Sequence, residues 1–266
     1  MKNTTFYSSK FQKEFYDNLS QEKEENRSLF SCGYEERYNP WLIVNNKHSY
    51  NLFNNLFSNF LGESKNGIVL DLCSGSGIHL PLLSKYSETT IGTDLSIGLL
   101  KRAHEIKREL TLDNVLLFQA RAESIPLKND VCDAVIMIDA IHHVENQVKV
   151  MEELKRVSKN YTPILLIEPN ISNPLVFLAH RFPKEERGAL RLNTAKGLSQ
   201  LLSSYLDEVH IKPFNHIASR KSNFLGRAIS NSIEWFFKWI FFFWPIRLRI
   251  QGNFCKNKGI YRKGIL

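Results

Sequence analysis

The heptapeptide Asp71 to Gly77, DLCSGSG, sets an acid at the end of an apolar run and follows it with two glycines one residue apart. Glycine adopts backbone angles closed to other residues, and without side chains Gly75 and Gly77 let the loop pass closely beneath a ligand. A helix following the loop would offer free N–H groups at its start. A second acid, Asp94, ends the next apolar segment, where a carboxylate can accept hydrogen bonds from sugar hydroxyls. Acid, glycine loop and second acid make a site for a nucleotide-like ligand.

Two ligand classes use such a loop. A dinucleotide needs G-x-G-x-x-G to admit its pyrophosphate, and here the third glycine would fall at Leu80, so that pattern fails. S-adenosylmethionine has no pyrophosphate to house, and Asp71 is placed to influence its ammonium group. The residues therefore favour S-adenosylmethionine.

The elements around the loop must hold it at the edge of a sheet. Apolar segments at 67–72, 89–93, 115–119, 133–138 and 163–167 alternate with helix-like stretches at about 78–86, 96–109 and 144–158. Strands alternating with helices predict a parallel sheet covered on both faces, whose ligands bind beyond the carboxyl ends of the strands where strand order reverses. Residues 41–61 read as one helix packed on the sheet. Thr194 reads as the N-cap of a helix to about Leu206, Glu208 to Phe214 as a sixth strand, and Gln251 to Cys255, or a stretch somewhat later, as the last strand. The expected fold is α/β: a Rossmann-like, doubly wound, seven-stranded sheet, mostly parallel with the last strand antiparallel. Residues 1–60 form an N-terminal helical arm or lid, 61–215 the core, 216–250 an aromatic basic insertion, and 251–266 the final strand and tail. For residues 1–40 a solvated face with ordinary packing aromatics is the competing reading.

These residues resemble the class I S-adenosylmethionine-dependent methyltransferases, in particular the methyltransferase type 11 group, over about residues 65–170. VLDLCSGSG is similar to the first motif, with Cys73 where the family commonly has glycine. IGTDLS, with Asp94 and Leu95, resembles the ribose-binding segment, and FQARAESIPL the segment that holds adenine. CDAVIMIDAIHHV looks like the fourth strand and its exit, and EELKRVSKNYTPILLIEPN like the helix, turn and fifth strand that follow. The resemblance implies S-adenosylmethionine as cofactor, with Asp71, Cys73, Gly75, Gly77, Asp94, Leu95, Arg121, Ala122 and Asp139 as its binding residues. Arg121 departs from the pattern, because the family commonly has an aspartate there facing the adenine amino group. Arginine cannot accept that hydrogen bond, although it could stack on the ring.

Methyl transfer is an in-line displacement, so positioning can supply most of the catalysis, and a base is needed only if the acceptor loses a proton. His142 and His143 follow the fourth strand and can take a proton near neutral pH. Packing or orienting the adjoining helix is the competing role for either. Glu168 and Asn170 could orient an acceptor or anchor a loop, and Asp133, remote from the ligand edge, reads as structural.

The charge is uneven. Residues 220–266 hold ten Lys or Arg against the single acid Glu234, so this tail carries +9 and the remainder −1 of the total +8. Inside it, residues 233–246 contain WFFKWIFFFWP, too short and too charged to span a bilayer. Aromatics flanked by cations suit an interfacial helix meeting lipid phosphate; a helix covering the sheet and a dimer contact are the competing readings. Nucleic acid is disfavoured, since clustered Phe is not a distributed stacking platform and no N-P-P-Y-like tetrapeptide stands at the fourth strand. The four cysteines show no C-x-x-C spacing, which excludes a zinc ribbon and a disulfide framework, and no metal site is expected. The first residues lack an apolar secretory core, so the expected location is cytoplasmic, with peripheral contact on the inner membrane face.

The sequence thus predicts a methyltransferase acting on a small-molecule or lipid-linked acceptor. Two alternatives stay open: a soluble natural-product or glycan-precursor methyltransferase, and a non-catalytic, cofactor-binding membrane adaptor.

Overall fold

The structure is a computed structural model that describes residues 8–21, 38–63, 65–181, 193–214, 232 and 245–256. The aromatic stretch 233–244, Cys32 and most of the basic tail lie outside the described residues.

The first five strands are β1 (Asn66–Leu72), β2 (Ser87–Asp94), β3 (Val115–Gln119), β4 (Ala134–Ile138) and β5 (Pro163–Pro169); β6 (Leu206–Pro213) and β7 (Arg247–Phe254) complete one sheet in the order β3-β2-β1-β4-β5-β7-β6. All pairings among β1 to β5 are parallel, and β7 runs antiparallel to both β5 and β6. Strand order reverses between β1 and β4, so the loop after Leu72 stands at the switch point of the sheet.

β1, β4 and β5 are apolar at nearly every position because both of their faces are covered. Leu70, Val135, Met137, Ile164 and Leu166 face one layer, packed with Met151 and Leu154 of α6 (Gln147–Val157) and Leu198 and Leu202 of α8 (Ala195–Ser203). Alternate residues Val69, Ile136, Leu165 and Ile167 face the other, against Phe53, Leu56, Phe57 and Leu61 of α3 (Lys47–Leu61). Phe57 is fully buried, and truncating such a side chain to alanine costs about 3–5 kcal/mol. A third, smaller cluster joins Leu80 of α4 (Leu80–Leu83) to Ala103 of α5 (Ile97–Glu109) and Val115 of β3.

Three expectations need correction. Residues 41–61 are two helices, α2 (Trp41–Val44) and α3, because the Asn46 side chain accepts from the His48 and Ser49 amides and starts a new helix. The stretch 78–86 forms only the single turn α4 within a run of turns. The last strand begins four residues before Gln251: half-buried Arg247, Arg249, Gln251 and Asn253 alternate with buried Leu248, Ile250, Gly252 and Phe254, so the period-two pattern starts at Arg247.

The remaining described helices are α1 (Ser9–Leu19) and α7 (Pro174–Arg181). β6 ends at Pro213 opposite Leu248, and β7 begins at Arg247 opposite Pro169, the carboxyl end of β5. The chain between Phe214 and Pro245 therefore leaves and returns at the ligand edge.

Candidate active site

The loop after β1 is built by backbone conformations that few residues accept. Cys73 has φ +59° and Gly75 φ +57°, and across the switch point Asp139, leaving β4, has φ +52°. Left-handed non-glycine residues are uncommon and concentrate at binding sites. Gly77 has φ +79°, and an added Cβ would lie 2.6 Å from Leu80 Cδ1 and 3.0 Å from Ala103 Cβ. Gly77 thus lets the loop close on α5; it does not line the cavity. Gly75 does line it.

Asp94 locks the loop to β2. Its Oδ2 accepts from Gly75 N–H at 2.9 Å and its Oδ1 from Ser96 N–H at 2.8 Å. Ser74 N–H adds a bond to Thr93 O at 2.8 Å. Burial pushes the Asp94 carboxyl up to about 6 despite hydrogen bonds from Ser96, Gly75 and Leu95 that pull it down. Asp71 is 2% exposed, its Oδ2 has no hydrogen-bond partner among the described residues, and burial, with Asp94 adding to it, pushes its carboxyl up to about 8. Two desolvated acids facing one cavity are unfavourable alone, and a cationic ligand bearing hydroxyls would satisfy both. Burial likewise holds the Cys73 thiol well above its ordinary range, which makes it a poor nucleophile.

The cavity wall continues through Leu95, Ser96, Leu99, Ala120, Ala122 and Glu123. Arg121 is not part of it: its guanidinium turns outward, donating to Ser9 Oγ at 2.9 Å and pairing with Glu145 at 3.1 Å. In place of the stacking that Arg121 could have offered, its guanidinium forms a tie, because Ser9 of the first helix and Glu145 hold it.

The histidine pair divides. His143 lines the cavity, with Nε2 3.2 Å from the Tyr16 hydroxyl. His142 is buried behind it, its Nδ1 2.6 Å from Glu168 and its ring 4.0 Å from that of His143. Of the two histidines, His143 is the one that reaches the cavity. Asp139 lines the cavity and pairs with Arg247 at 2.7 Å. Asp133 accepts from Ile68 N–H and pairs with Lys159, away from the cavity.

The sequence suggests an arm or lid within residues 1–60 but does not single out the side chains that meet the cavity. Ser9, Gln12, Lys13 and Tyr16 of α1, with Tyr38, close the cavity. Their three- and four-residue spacing puts them on one helical face, and that polar stripe was the available signal. Docking of α1 is mostly polar: Asp17 Oδ1 accepts from Ser96 Oγ at 2.6 Å and Gly98 N–H at 2.8 Å, and Ser9 Oγ donates to Glu145 at 2.6 Å. Burial raises the Asp17 carboxyl, but bonds from Lys13, Ser96 and Gly98 outweigh it and hold it below the usual value. Among the described residues no group of three metal-ligating side chains converges, and no helix is long and apolar enough to cross a membrane.

An open sheet in this order, with an acid, a glycine loop and a second acid at its switch point, is the fold of the class I methyltransferases. The methyltransferase domain family matches residues 70–162. An uncharacterized methyltransferase of Bacillus subtilis, YcgJ, is 31% identical over 100 residues, 38% of this chain and 40% of that protein. The ubiquinone/menaquinone biosynthesis C-methyltransferase UbiE of Syntrophotalea carbinolica is 32% identical over 114 residues, 41% of this chain and 47% of that protein. The match thus spans less than half the length of these curated relatives. Among solved structures, geranyl diphosphate C-methyltransferase from Streptomyces coelicolor superposes with TM-score 0.63 at 12% identity, covering 95% of this chain and 99% of that one. The PH0226 protein of Pyrococcus horikoshii gives 0.57 at 20% identity, covering 84% of this chain and all of that one. Over residues 70–162 the chain is similar to the methyltransferase domain family, and its fold superposes on that of S-adenosylmethionine-dependent methyltransferases.

Proposed function

We propose that this protein transfers a methyl group from S-adenosylmethionine to a small, apolar or lipid-linked acceptor. The observation that carries the reading is the pair of acids, Asp71 buried and Asp94 half-buried, on one cavity at the switch point. In this reading Asp94 and Leu95 hold the ribose, Ala122 lies against the adenine, and Asp71 and the loop of Cys73 and Gly75 hold the methionine end. S-adenosylmethionine supplies an electrophilic methyl group on a sulfonium. The protein's own contribution is to exclude water with α1, to align the acceptor beside Asp139 and His143, and to receive at the His143 imidazole any proton the acceptor gives up.

An apolar acceptor is supported by aromatic rings running from the cavity wall to the root of the insertion. His79 lines the cavity, Phe53 lies 4.8 Å from its ring, and Phe214 lies 5.8 Å from Phe53. Beyond Phe214 the chain enters the segment rich in Trp and Phe, which returns to the same edge at Pro245. Residues 1–60 then act as lid, 61–215 as cofactor-binding core, 216–250 as an acceptor- or membrane-facing insertion and 251–266 as closing strand and tail. The names of two similar proteins, a quinone C-methyltransferase and a geranyl diphosphate C-methyltransferase, agree with a lipid-like acceptor.

The test incubates the protein with methyl-tritiated S-adenosylmethionine and separate organic and aqueous metabolite extracts. Label entering the organic fraction is expected. Label confined to the aqueous fraction would replace the lipid acceptor with a polar one, and binding without label in either would favour a non-catalytic adaptor. Flotation with anionic liposomes tests the membrane version, which fails if the intact protein stays wholly in the aqueous phase.

A further inference from the structure

Glu168 of β5 is fully buried and does not line the cavity. Its carboxylate nevertheless collects four hydrogen bonds from distant parts of the chain. Oε1 accepts from Ala140 N–H at 2.8 Å and Ile141 N–H at 2.9 Å; Oε2 takes Asn193 Nδ2–H at 2.9 Å and lies 2.6 Å from His142 Nδ1. A carboxylate has about four acceptor sites, so this one is filled. Its strand neighbours Leu165, Leu166 and Ile167 are fully buried and apolar, and an apolar residue there would avoid the desolvation of a charge.

What the acid holds is the turn leaving β4. That turn starts with the left-handed Asp139, whose N–H bonds Ile167 O at 2.8 Å, and closes with His143 N–H on Ala140 O at 2.9 Å. Between them the Ala140 and Ile141 amides, both of buried residues, take Glu168 as acceptor. His142 is fixed from behind by the same carboxylate, and the His143 ring rests on it and meets Tyr16 edge-on at 5.7 Å. Asn193 adds the segment that follows β5, since its carbonyl also accepts from Ile171 N–H at 2.9 Å.

We infer that Glu168 is a positioning residue: through the Ala140 and Ile141 amides and the His142 ring it sets the turn Asp139 to His143, and so the place of the His143 imidazole on the cavity wall. This rests on the reading that Asp139 and His143 face the acceptor. Glu168 acts without touching cofactor or acceptor, and Asn193, whose carbonyl holds Ile171 N–H, joins the same carboxylate.

The test is heteronuclear NMR of the imidazole nitrogens in wild type, Glu168→Gln and Asn193→Ala, with calorimetric titration of S-adenosylhomocysteine on the same samples. Glutamine keeps the volume and one acceptor oxygen but turns an N–H toward His142 Nδ1. In Glu168→Gln the His142 tautomer should change and the His143 signals should move with it, while S-adenosylhomocysteine affinity stays within about threefold, as expected for sites that share no partner. Asn193→Ala removes one donor and should move the same His143 signals less. Unchanged His143 signals in a folded Glu168→Gln protein would overturn the assignment, as would a tenfold or greater loss of affinity, which would make Glu168 part of the cofactor site. If Glu168→Gln does not fold, Asn193→Ala decides, and unchanged His143 signals there overturn it. A wild type that binds no S-adenosylhomocysteine removes the cofactor reading, while the His143 signals still decide whether Glu168 positions the turn.

Discussion

The Gly75 amide donates to Asp94 Oδ2 at 2.9 Å, so the glycine loop of the first strand and the acid of the second are one unit before any ligand arrives. The two loop glycines serve it differently. Gly75 has open space above its Cα, with Leu99 Cδ1 at 3.9 Å the nearest atom to an added Cβ, whereas Gly77 is packed against Ala103, whose backbone Cα would lie 3.2 Å away. Gly77→Ala should therefore cost about 2–3 kcal/mol, combining left-handed strain with overpacking. Gly75→Ala should cost about 1–2 kcal/mol, from strain alone. Urea unfolding of both variants checks the ranking; equal losses would mean that Gly77 is not a packing residue.

Asp71 and Asp94 give the site a signed pH dependence. Their carboxyls sit near 8 and 6 in the folded protein, against about 4 in an unfolded chain. A raised folded pKa contributes stability that is full below the unfolded value and is lost as pH climbs through the folded one. The cofactor-free protein should therefore lose stability between about pH 4 and 8 from these two groups. A cationic ligand favours the ionised acids, so binding near neutral pH should expel up to about one proton. Calorimetry in two buffers of different ionisation enthalpy reads that number. Proton uptake, or none at all, would contradict the placement of Asp71 against a cation.

Helix α1 is held by polar ties, with Leu19 its only buried apolar residue. Asp17 supplies two of those ties at the N-terminus of α5, and hydrogen bonds to a charged group contribute about 1.5–3 kcal/mol each. Asp17→Ala should speed release of S-adenosylhomocysteine by about tenfold or more and lower Tm by several degrees. Stopped-flow displacement measures the rate. An unchanged rate would make α1 a fixed wall and not a gate.

Much of this site was readable from residue order because it depends on local patterns. An acid closing an apolar run, two glycines and a second acid one strand later lie close together in the chain, and β4 and β5 announced themselves as apolar segments buried on both faces. The failures share a physical cause: contacts between segments far apart in the chain. Arg121 was assigned to adenine because its partners, Ser9 and Glu145, lie 112 and 24 residues away and leave no mark nearby. His142 and His143 look equivalent as neighbours, and only the buried Glu168, 26 residues on, separates them. The cavity-facing residues of α1 went unassigned for the same reason, since its polar stripe acquires meaning only when Asp17 finds the start of α5.

The central claim is that the Asp71–Gly77 loop and Asp94 hold S-adenosylmethionine. Calorimetric titration of S-adenosylmethionine into wild type and Asp94→Ala tests it most directly, with circular dichroism confirming that the variant is folded. Wild type should bind at a single site, and Asp94→Ala should bind at least tenfold more weakly, about 1.4 kcal/mol or more. Equal affinity in the folded variant would contradict the account.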